Sequence, residues 1–154
     1  MTTAPIVSNS SPLIALERIG QQPLLEALFG RIVIPMAVVQ EVGLAGSPPP
    51  WIESRSLTTS IGPRILAASL GGGESEAISL ALETQARLII LDDRPARRLA
   101  QSLHLPVIGT VGVLVAAKRR NLLVSIRPQL DALMQHDFRI SPRLYDQVLI
   151  DVDE

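Results

Sequence analysis

The stretch RLIILDD at residues 87–93 joins a mostly apolar run to two adjacent carboxylates. Runs of this kind are typical of strands buried inside a parallel sheet, because helices cover both faces of such a sheet. The segment that follows, residues 94–103, has the spacing of a helix. The sequence therefore predicts a βα unit whose carboxylates, Asp92 and Asp93, lie at the carboxyl end of a buried strand.

Similar units are predicted on both sides of this stretch. Further strands are expected at residues 5–7, 31–35 and 105–108, with a weaker edge strand within Trp51–Ser60. Further helices are expected at residues 12–20, 24–29, 36–42, 74–85, 111–120, 128–136 and 141–150, and a loop at residues 46–50. This alternation favours an α/β fold, a doubly wound parallel sheet in three Rossmann-like layers with a helical C-terminal extension. One domain is expected over residues 1–154, with the α/β core at 1–123 and the C-terminal helices at 124–154.

Composition narrows the functional classes. Hydrophobic residues make up 47% of the 154 residues and charged residues 19%, so a sizeable core is expected and disorder is not. The absence of cysteine excludes disulfides and thiolate metal ligands. No apolar run reaches the roughly 18 residues of a membrane span, and no signal-peptide pattern is present, so we expect a cytoplasmic protein. A net charge of −1 and 3% aromatic residues disfavour a general nucleic-acid binder.

Polar residues follow two of the predicted strands. Residues 8–11, Ser-Asn-Ser-Ser, come after the first strand, and Asp92 and Asp93 come after the strand at residues 87–91. Ligands of open parallel sheets bind past the carboxyl ends of strands, so both groups can face one crevice. Two adjacent carboxylates repel each other unless a cation such as Mg²⁺ or Mn²⁺ neutralises them. The alternative for the aspartates is capping of the next helix.

Three glutamates are further candidates. Glu74 and Glu76 open a helix whose N-terminus should lie near Asp92 and Asp93, although the helix dipole favours acids there in any case. The two glutamates lie about 200° apart on a helix, so one of them should face the crevice. Glu41 lies near a helix C-terminus, where the dipole disfavours a carboxylate. It is therefore either functional or a solvated face residue.

The candidate substrate contacts have structural alternatives as well. Ser10 either holds a substrate phosphate or takes part in a turn, and Ser11 is the candidate N-cap of the first helix. Arg94 and Arg97 either bind phosphates of a substrate or belong to a solvated helix face. Thr110 either contacts substrate across the crevice or caps its helix, and we favour the cap.

The ordered motifs of the chain resemble those of the PIN-domain superfamily. They are SNSSPLI at residues 8–14, VVQE at 38–41, GESEAI at 73–78, LDDR at 91–94, VIGTVGVL at 107–114 and FRIS at 138–141. More narrowly, the chain resembles a prokaryotic PIN-like branch of predicted nucleic-acid-binding proteins. The resemblance covers nearly the whole chain.

The resemblance implies a metal-dependent endoribonuclease that uses Mg²⁺ or Mn²⁺ to hydrolyse phosphodiester bonds. It places catalytic acids at Glu41, Glu74 and Asp93, and metal ligands at Asn9, Glu41, Glu74 or Glu76, and Asp93 with Asp92 beside it. The family carries aspartate where this chain has Asn9, and the lost charge should weaken metal binding. The implied partners are RNA, a small antitoxin if the chain is the toxin of a type II toxin–antitoxin pair, and a second copy of the chain.

Other functional classes remain to be weighed against this one. A PIN-like module with weakened catalysis, which binds RNA or a partner protein, is the main alternative, and Asn9 favours it. A phosphoacceptor receiver domain is disfavoured because residues 8–11 do not supply the acids it needs. A dinucleotide-binding domain is disfavoured because the glycines at residues 71–73 lack the GxGxxG spacing and a preceding strand.

Overall fold

A parallel five-stranded sheet forms the centre of the molecule. The computed structural model describes residues 4–43, 48–58 and 70–154. The strands are β1 (Ile6–Ser8), β2 (Ile32–Ile34), β3 (Ile52–Ser54), β4 (Leu88–Ile90) and β5 (Val107–Ile108). They lie in the order β3-β2-β1-β4-β5, and every neighbouring pair is parallel. The predicted doubly wound α/β sheet with a central first strand is therefore confirmed.

Eight helices are present in the described part of the chain. They are α1 (Ser10–Arg18), α2 (Pro23–Phe29), α3 (Met36–Glu41), α4 (Gly72–Thr84), α5 (Arg94–Ser102), α6 (Thr110–Arg119), α7 (Arg127–Gln135) and α8 (Pro142–Asp151). Their bounds agree with the predicted ones to within about two residues. The weak segment Trp51–Ser60 does contain an edge strand, β3, although its last two residues lie outside the described ranges, as do residues 46 and 47 of the predicted loop.

The helices cover both faces of the sheet because the strands are apolar on both faces. Ile6, Ile32 and Ile90 belong to a hydrophobic cluster that includes residues of α1, α2, α6, α7 and α8. Val7 and Ile89, which point the opposite way along their strands, belong to a second cluster with α4 and α5. The C-terminal helices α7 and α8 thus share a core with the sheet.

Two predicted helix caps are wrong. The N-cap of α1 is Asn9, not Ser11, because the extended backbone of β1 continues through Asn9 and the helix begins directly after it. The N-cap of α6 is Gly109, and Thr110 is the first helical residue. Asp93, in contrast, does cap α5, since its side chain accepts a hydrogen bond from the backbone N–H of Ala96 at 3.1 Å.

A carboxylate at the far end of the chain links α8 to the start of α7. Glu154 accepts hydrogen bonds from Ser125 Oγ at 2.6 Å and from the backbone N–H of Ile126 at 2.7 Å, and it lies 3.5 Å from Lys118 Nζ. The hydrogen bond from Ser125, together with those from the backbone, lowers the pKa of Glu154 to about 2. No helix among the described residues is both long and apolar enough to cross a membrane.

Candidate active site

Four polar residues meet at the carboxyl edge of the sheet. Asn9 and Ser10 follow β1, Glu41 is the last residue of α3, and Glu74 lies in the first turn of α4. We call these four residues the Asn9 cluster. The backbone N–H of Asn9 donates to Ile90 of β4 at 3.0 Å, so that Asn9 is fixed between the two central strands.

Hydrogen bonds hold the two carboxylates on either side of Asn9. Ser10 Oγ donates to Glu41 Oε1 at 3.1 Å, and Asn9 Nδ2 donates to Glu74 Oε1 at 3.4 Å. Asn9 is buried, with 1% of its surface exposed, whereas Glu74 is half-buried and Glu41 is exposed. The cluster therefore has a buried floor and an open side.

The side-chain oxygen of Asn9 has no hydrogen-bond partner. Because the amide nitrogen donates to Glu74, the oxygen Oδ1 is left buried and unsatisfied. In the described residues, Ser79 Oγ is the only other buried side-chain oxygen or nitrogen in this state. Leaving a buried acceptor without a donor costs about 1–3 kcal/mol. Such a group in a cluster of carboxylates is typical of a ligand site.

The absence of a side chain at Gly73 opens the space between these oxygens. A Cβ atom at Gly73 would overlap Glu41 Oε1 and would come within 3.0 Å of Asn9 Oδ1. The two oxygens therefore point towards the same small volume beside the backbone of α4. Sequence reasoning missed this role, although the run of three glycines before Glu74 was a visible signal.

The donor set of the Asn9 cluster fits a hard divalent cation. It offers one neutral amide oxygen and the carboxylates of Glu41 and Glu74. Among the described residues, no three His, Cys, Asp or Glu side chains lie close enough together to form an all-protein metal site. Mg²⁺ does not need such a site, because it usually binds one or two carboxylates and completes its shell with water and substrate phosphate.

A second group surrounds Asp92, at the end of β4. Asp92 Oδ1 accepts a hydrogen bond from the backbone N–H of Thr110 at 2.7 Å, and Oδ2 accepts one from Thr110 Oγ1 at 2.6 Å. Arg97 Nη1 donates to the backbone oxygen of Leu91 at 3.1 Å. A Cβ at Gly109 would come within 2.5 Å of Arg97 Nη1 and 2.9 Å of Asp92 Oδ1. We call Asp92, Arg97, Gly109 and Thr110 the Asp92 cluster.

The Asp92 cluster keeps a carboxylate in a partly buried position with both of its oxygens satisfied. Burial raises the pKa of Asp92, and the hydrogen bonds from Thr110 and the charge of Arg97 oppose that shift. Thr110 is completely buried and its hydroxyl donates to Asp92. The expectation that Thr110 contacts substrate therefore conflicts with its position, because it has no accessible surface.

The remaining predicted site residues lie around these two clusters. Glu76 accepts a hydrogen bond from the backbone N–H of Ala37 at 3.2 Å, at the start of α3, whereas Glu74 contacts Asn9. Asp93 and Arg94 are exposed at the start of α5. Glu74 of the Asn9 cluster lines one large crevice together with Asp92, Asp93, Arg94 and Arg97, so Glu74 connects the two clusters at this opening.

Comparison with known proteins adds one finding. A family model described as a PIN domain matches residues 5–154. Curated proteins and solved structures give no match. The match covers the sheet, both clusters and the C-terminal helices.

Proposed function

The chain belongs to the PIN-domain family, and from that membership we propose that it is an endoribonuclease dependent on Mg²⁺ or Mn²⁺. PIN-domain membership points to nuclease-type activity and to nucleic acid as the class of partner. The finer assignment to a divalent ion rests on the chemistry of the Asn9 cluster, and the choice of RNA rests on the resemblance of the chain's motifs to those of PIN-type ribonucleases.

One observation carries the proposal. The buried Asn9 Oδ1 has no partner, and it points to the same volume as Glu41 Oε1. Asn9, Glu41 and Glu74 would hold the ion, and Asp93 lines the same crevice as Glu74. A divalent ion bound there supplies an activated water and neutralises charge on the phosphate.

The chain's own residues prepare the site. Ser10 orients Glu41 through its hydroxyl, and the amide nitrogen of Asn9 orients Glu74. Asp92 holds the start of α6 through Thr110. Arg94 is exposed at the N-terminus of α5, where its charge and the helix dipole both favour a phosphate.

The proposal is tested by cleavage of a fluorescent single-stranded RNA with and without Mn²⁺. We expect Glu41→Gln and Glu74→Gln to lower the rate on the order of 100-fold or more, because each removes a carboxylate that would bind the ion. We expect Asp93→Asn to lose activity as well, because it removes a charge from the crevice. Asparagine is a good N-cap, so this loss of activity would not reflect a damaged helix.

Glu76→Gln is the matched control. It makes the same chemical change two residues along the same helix, and the amide oxygen can still accept from Ala37. We expect it to keep most of the activity. Cleavage that continues in EDTA, or that is equal in wild type and Glu41→Gln, would reject the assignment.

A non-catalytic PIN-like module is the second candidate. The observation that favours it is the neutral Asn9 in a cluster with only two carboxylates, which lowers the attraction for a cation. Such a module would bind RNA or a partner protein with no dependence on metal and would leave RNA intact. Binding without cleavage over a full titration of Mg²⁺ and Mn²⁺ would favour this candidate.

The biological role that we propose is that of a cytoplasmic toxin neutralised by a small antitoxin. Growth arrest on expression of the wild type, but not of Glu41→Gln, is the expected result. A homodimer is also proposed, and exposed Met36, Leu122, Val124 and Ile150 offer it apolar surface. A monomeric mass in light scattering at micromolar concentration would rule against the dimer.

A further inference from the structure

The crevice that contains Glu74, Asp92 and Asp93 continues well beyond them. It extends to α7 and α8 and has a volume of about 1840 Å³. Small-molecule pockets usually measure about 300–1,000 Å³. The crevice is therefore large enough for a polymer, and the carboxylates occupy one part of it.

Basic side chains are concentrated along this crevice. Six of the fourteen basic residues of the chain line it, and all six are arginines: Arg18, Arg94, Arg97, Arg119, Arg120 and Arg139. Within the described ranges, the ion pairs involve other cations, Arg31, Arg55 and Lys118, and none of these six. The overall charge of −1 thus conceals a local concentration of arginines, and Arg97 is the one whose charge acts on a neighbouring carboxylate, that of Asp92, among the described residues.

The charges are also unevenly distributed along the crevice. Three of the carboxylates that line the crevice lie at the sheet edge: Glu74, Asp92 and Asp93. The other lining residues include two carboxylates, Asp137 and Asp151. Arg18, Arg119, Arg120 and Arg139 lie in this second part. Apolar side chains line the same crevice as the arginines, among them Ile14, Val111 and Phe138. Cations beside apolar surface suit a strand with exposed phosphates and unpaired bases.

We propose that the second part of the crevice binds the single-stranded flank of an RNA whose scissile phosphate lies at the Asn9 cluster. Arg119 at the end of α6 and Arg139 between α7 and α8 bind its phosphates, and the apolar wall contacts its bases. This inference rests on the proposed function, and it gives the C-terminal helices a part in substrate recognition.

The test compares RNA of two lengths. Fluorescence anisotropy with single strands of about 4 and about 16 nucleotides is measured in the Glu41→Gln background, so that cleavage is slow during the measurement. We expect the longer strand to bind at least about tenfold more tightly. Arg119→Gln/Arg139→Gln should remove most of this gain and lower the salt dependence of binding by roughly 1.4 in slope, since two phosphate contacts are lost.

The double variant Arg127→Gln/Arg143→Gln is the matched control. It removes the same charge from exposed positions on α7 and α8 that do not line the crevice. The proposal is overturned if both double variants bind alike, if a 16-base-pair duplex of about the same length binds as well as the single strand, or if a polyglutamate peptide competes equally well. The last result would identify an acidic protein as the occupant.

The two proposals can fail separately. If the wild-type protein cleaves RNA and Arg119→Gln/Arg139→Gln does not change RNA binding, the nuclease proposal stands and the flank-site proposal is rejected. If the longer strand binds in an arginine-dependent way but is not cleaved with any metal ion, the flank-site proposal stands and the nuclease proposal is rejected. Absence of RNA binding at both lengths overturns both.

Discussion

The Asn9 cluster and the Asp92 cluster lie at the ends of adjacent strands, yet the side-chain oxygens in the two clusters differ in their hydrogen bonding. Both oxygens of Asp92 accept short hydrogen bonds from one residue, Thr110. In the Asn9 cluster the buried oxygen of Asn9 has no donor, and the carboxylates of Glu41 and Glu74 receive one long or moderate hydrogen bond each.

We interpret this difference as one between a structural carboxylate, Asp92, and functional ones, Glu41 and Glu74. A partly buried carboxylate with both oxygens satisfied fixes the backbone around it, as Asp92 fixes the start of α6. A set of oxygens left partly unsatisfied lowers stability and needs a ligand to compensate. We therefore expect substitutions in the Asn9 cluster to change metal binding and activity, and those in the Asp92 cluster to change stability.

The largest expected effect is that of Gly73→Ala. The new Cβ would overlap the end of the Glu41 side chain, which can move away, so the fold should persist while Glu41 leaves the site. We expect Mn²⁺-dependent cleavage to fall on the order of 100-fold with an unchanged or higher melting temperature. Gly72→Ala is the control, because no atom lies within 4 Å of a Cβ there. Equal activity of the two variants would break the comparison.

Asn9→Asp should strengthen metal binding, whereas Gly73→Ala should weaken it. It adds a third carboxylate beside Glu41 and Glu74, which raises the attraction for a cation and also the repulsion in its absence. We expect calorimetry to show Mn²⁺ affinity higher by about tenfold, or about 1.4 kcal/mol. Asn121→Asp makes the same change at an exposed loop position and should leave the affinity as it is. No gain at Asn9 would mean that its oxygen does not face the ion.

Thr110→Val tests the structural character of the Asp92 cluster. The substitution removes the hydroxyl donor of a partly buried carboxylate, and we expect the free energy of unfolding to fall by about 1–3 kcal/mol with metal affinity unchanged. Thr84→Val, which removes a hydroxyl at the end of α4, should cost less. A loss of metal binding without a loss of stability would contradict the structural assignment.

The same variant should alter the pH dependence of stability. Burial raises the pKa of Asp92 above its ordinary value of 3.8, so its contribution to stability is present below that pH and is lost as the pH rises through the folded-state pKa. The hydrogen bond from Thr110 opposes this shift. Removing the Thr110 hydroxyl should therefore raise the pH at which the stability contributed by Asp92 is lost. Urea unfolding measured across pH 4–8, in steps of about one pH unit, would show this shift.

Glu154 provides a structural carboxylate of the other kind, one whose pKa is lowered to about 2. Its contribution is present above the ordinary value of 4.5 and is lost as the pH falls towards 2. We expect Glu154→Gln to cost about 1 kcal/mol or less at neutral pH, with no effect on RNA cleavage. Asp153→Asn is the neighbouring control. A change in cleavage by Glu154→Gln would show that stability and activity are not separate here.

The fold could be predicted because its signals are local. Apolar runs such as residues 88–91 mark buried strands, and glycine, proline and capping residues mark the ends of most elements. The wrong caps at Ser11 and Thr110 have a tertiary cause. Thr110 is held by Asp92, eighteen residues earlier in the chain, and no local pattern encodes that pairing.

The candidate site could be predicted in its residue types and its place at the sheet edge. Its internal contacts could not, because three segments far apart in sequence meet there. Which of Glu74 and Glu76 approaches Asn9 depends on the rotation of α4, and the role of Gly73 depends on where the side chain of Glu41 ends. The spacing of residues along one helix predicts neither the rotation of α4 nor the position of the Glu41 carboxylate.

Helix α3 is only six residues long, too short to persist without its neighbours. Glu76 holds its first turn and Glu41 stands at its last, so α3 and the start of α4 should open as one cooperative unit. Amide hydrogen exchange of residues 36–41 would then slow when Mn²⁺ binds, while exchange in β4 stays the same. The Asn9 cluster can accordingly be opened locally while the central sheet stays folded.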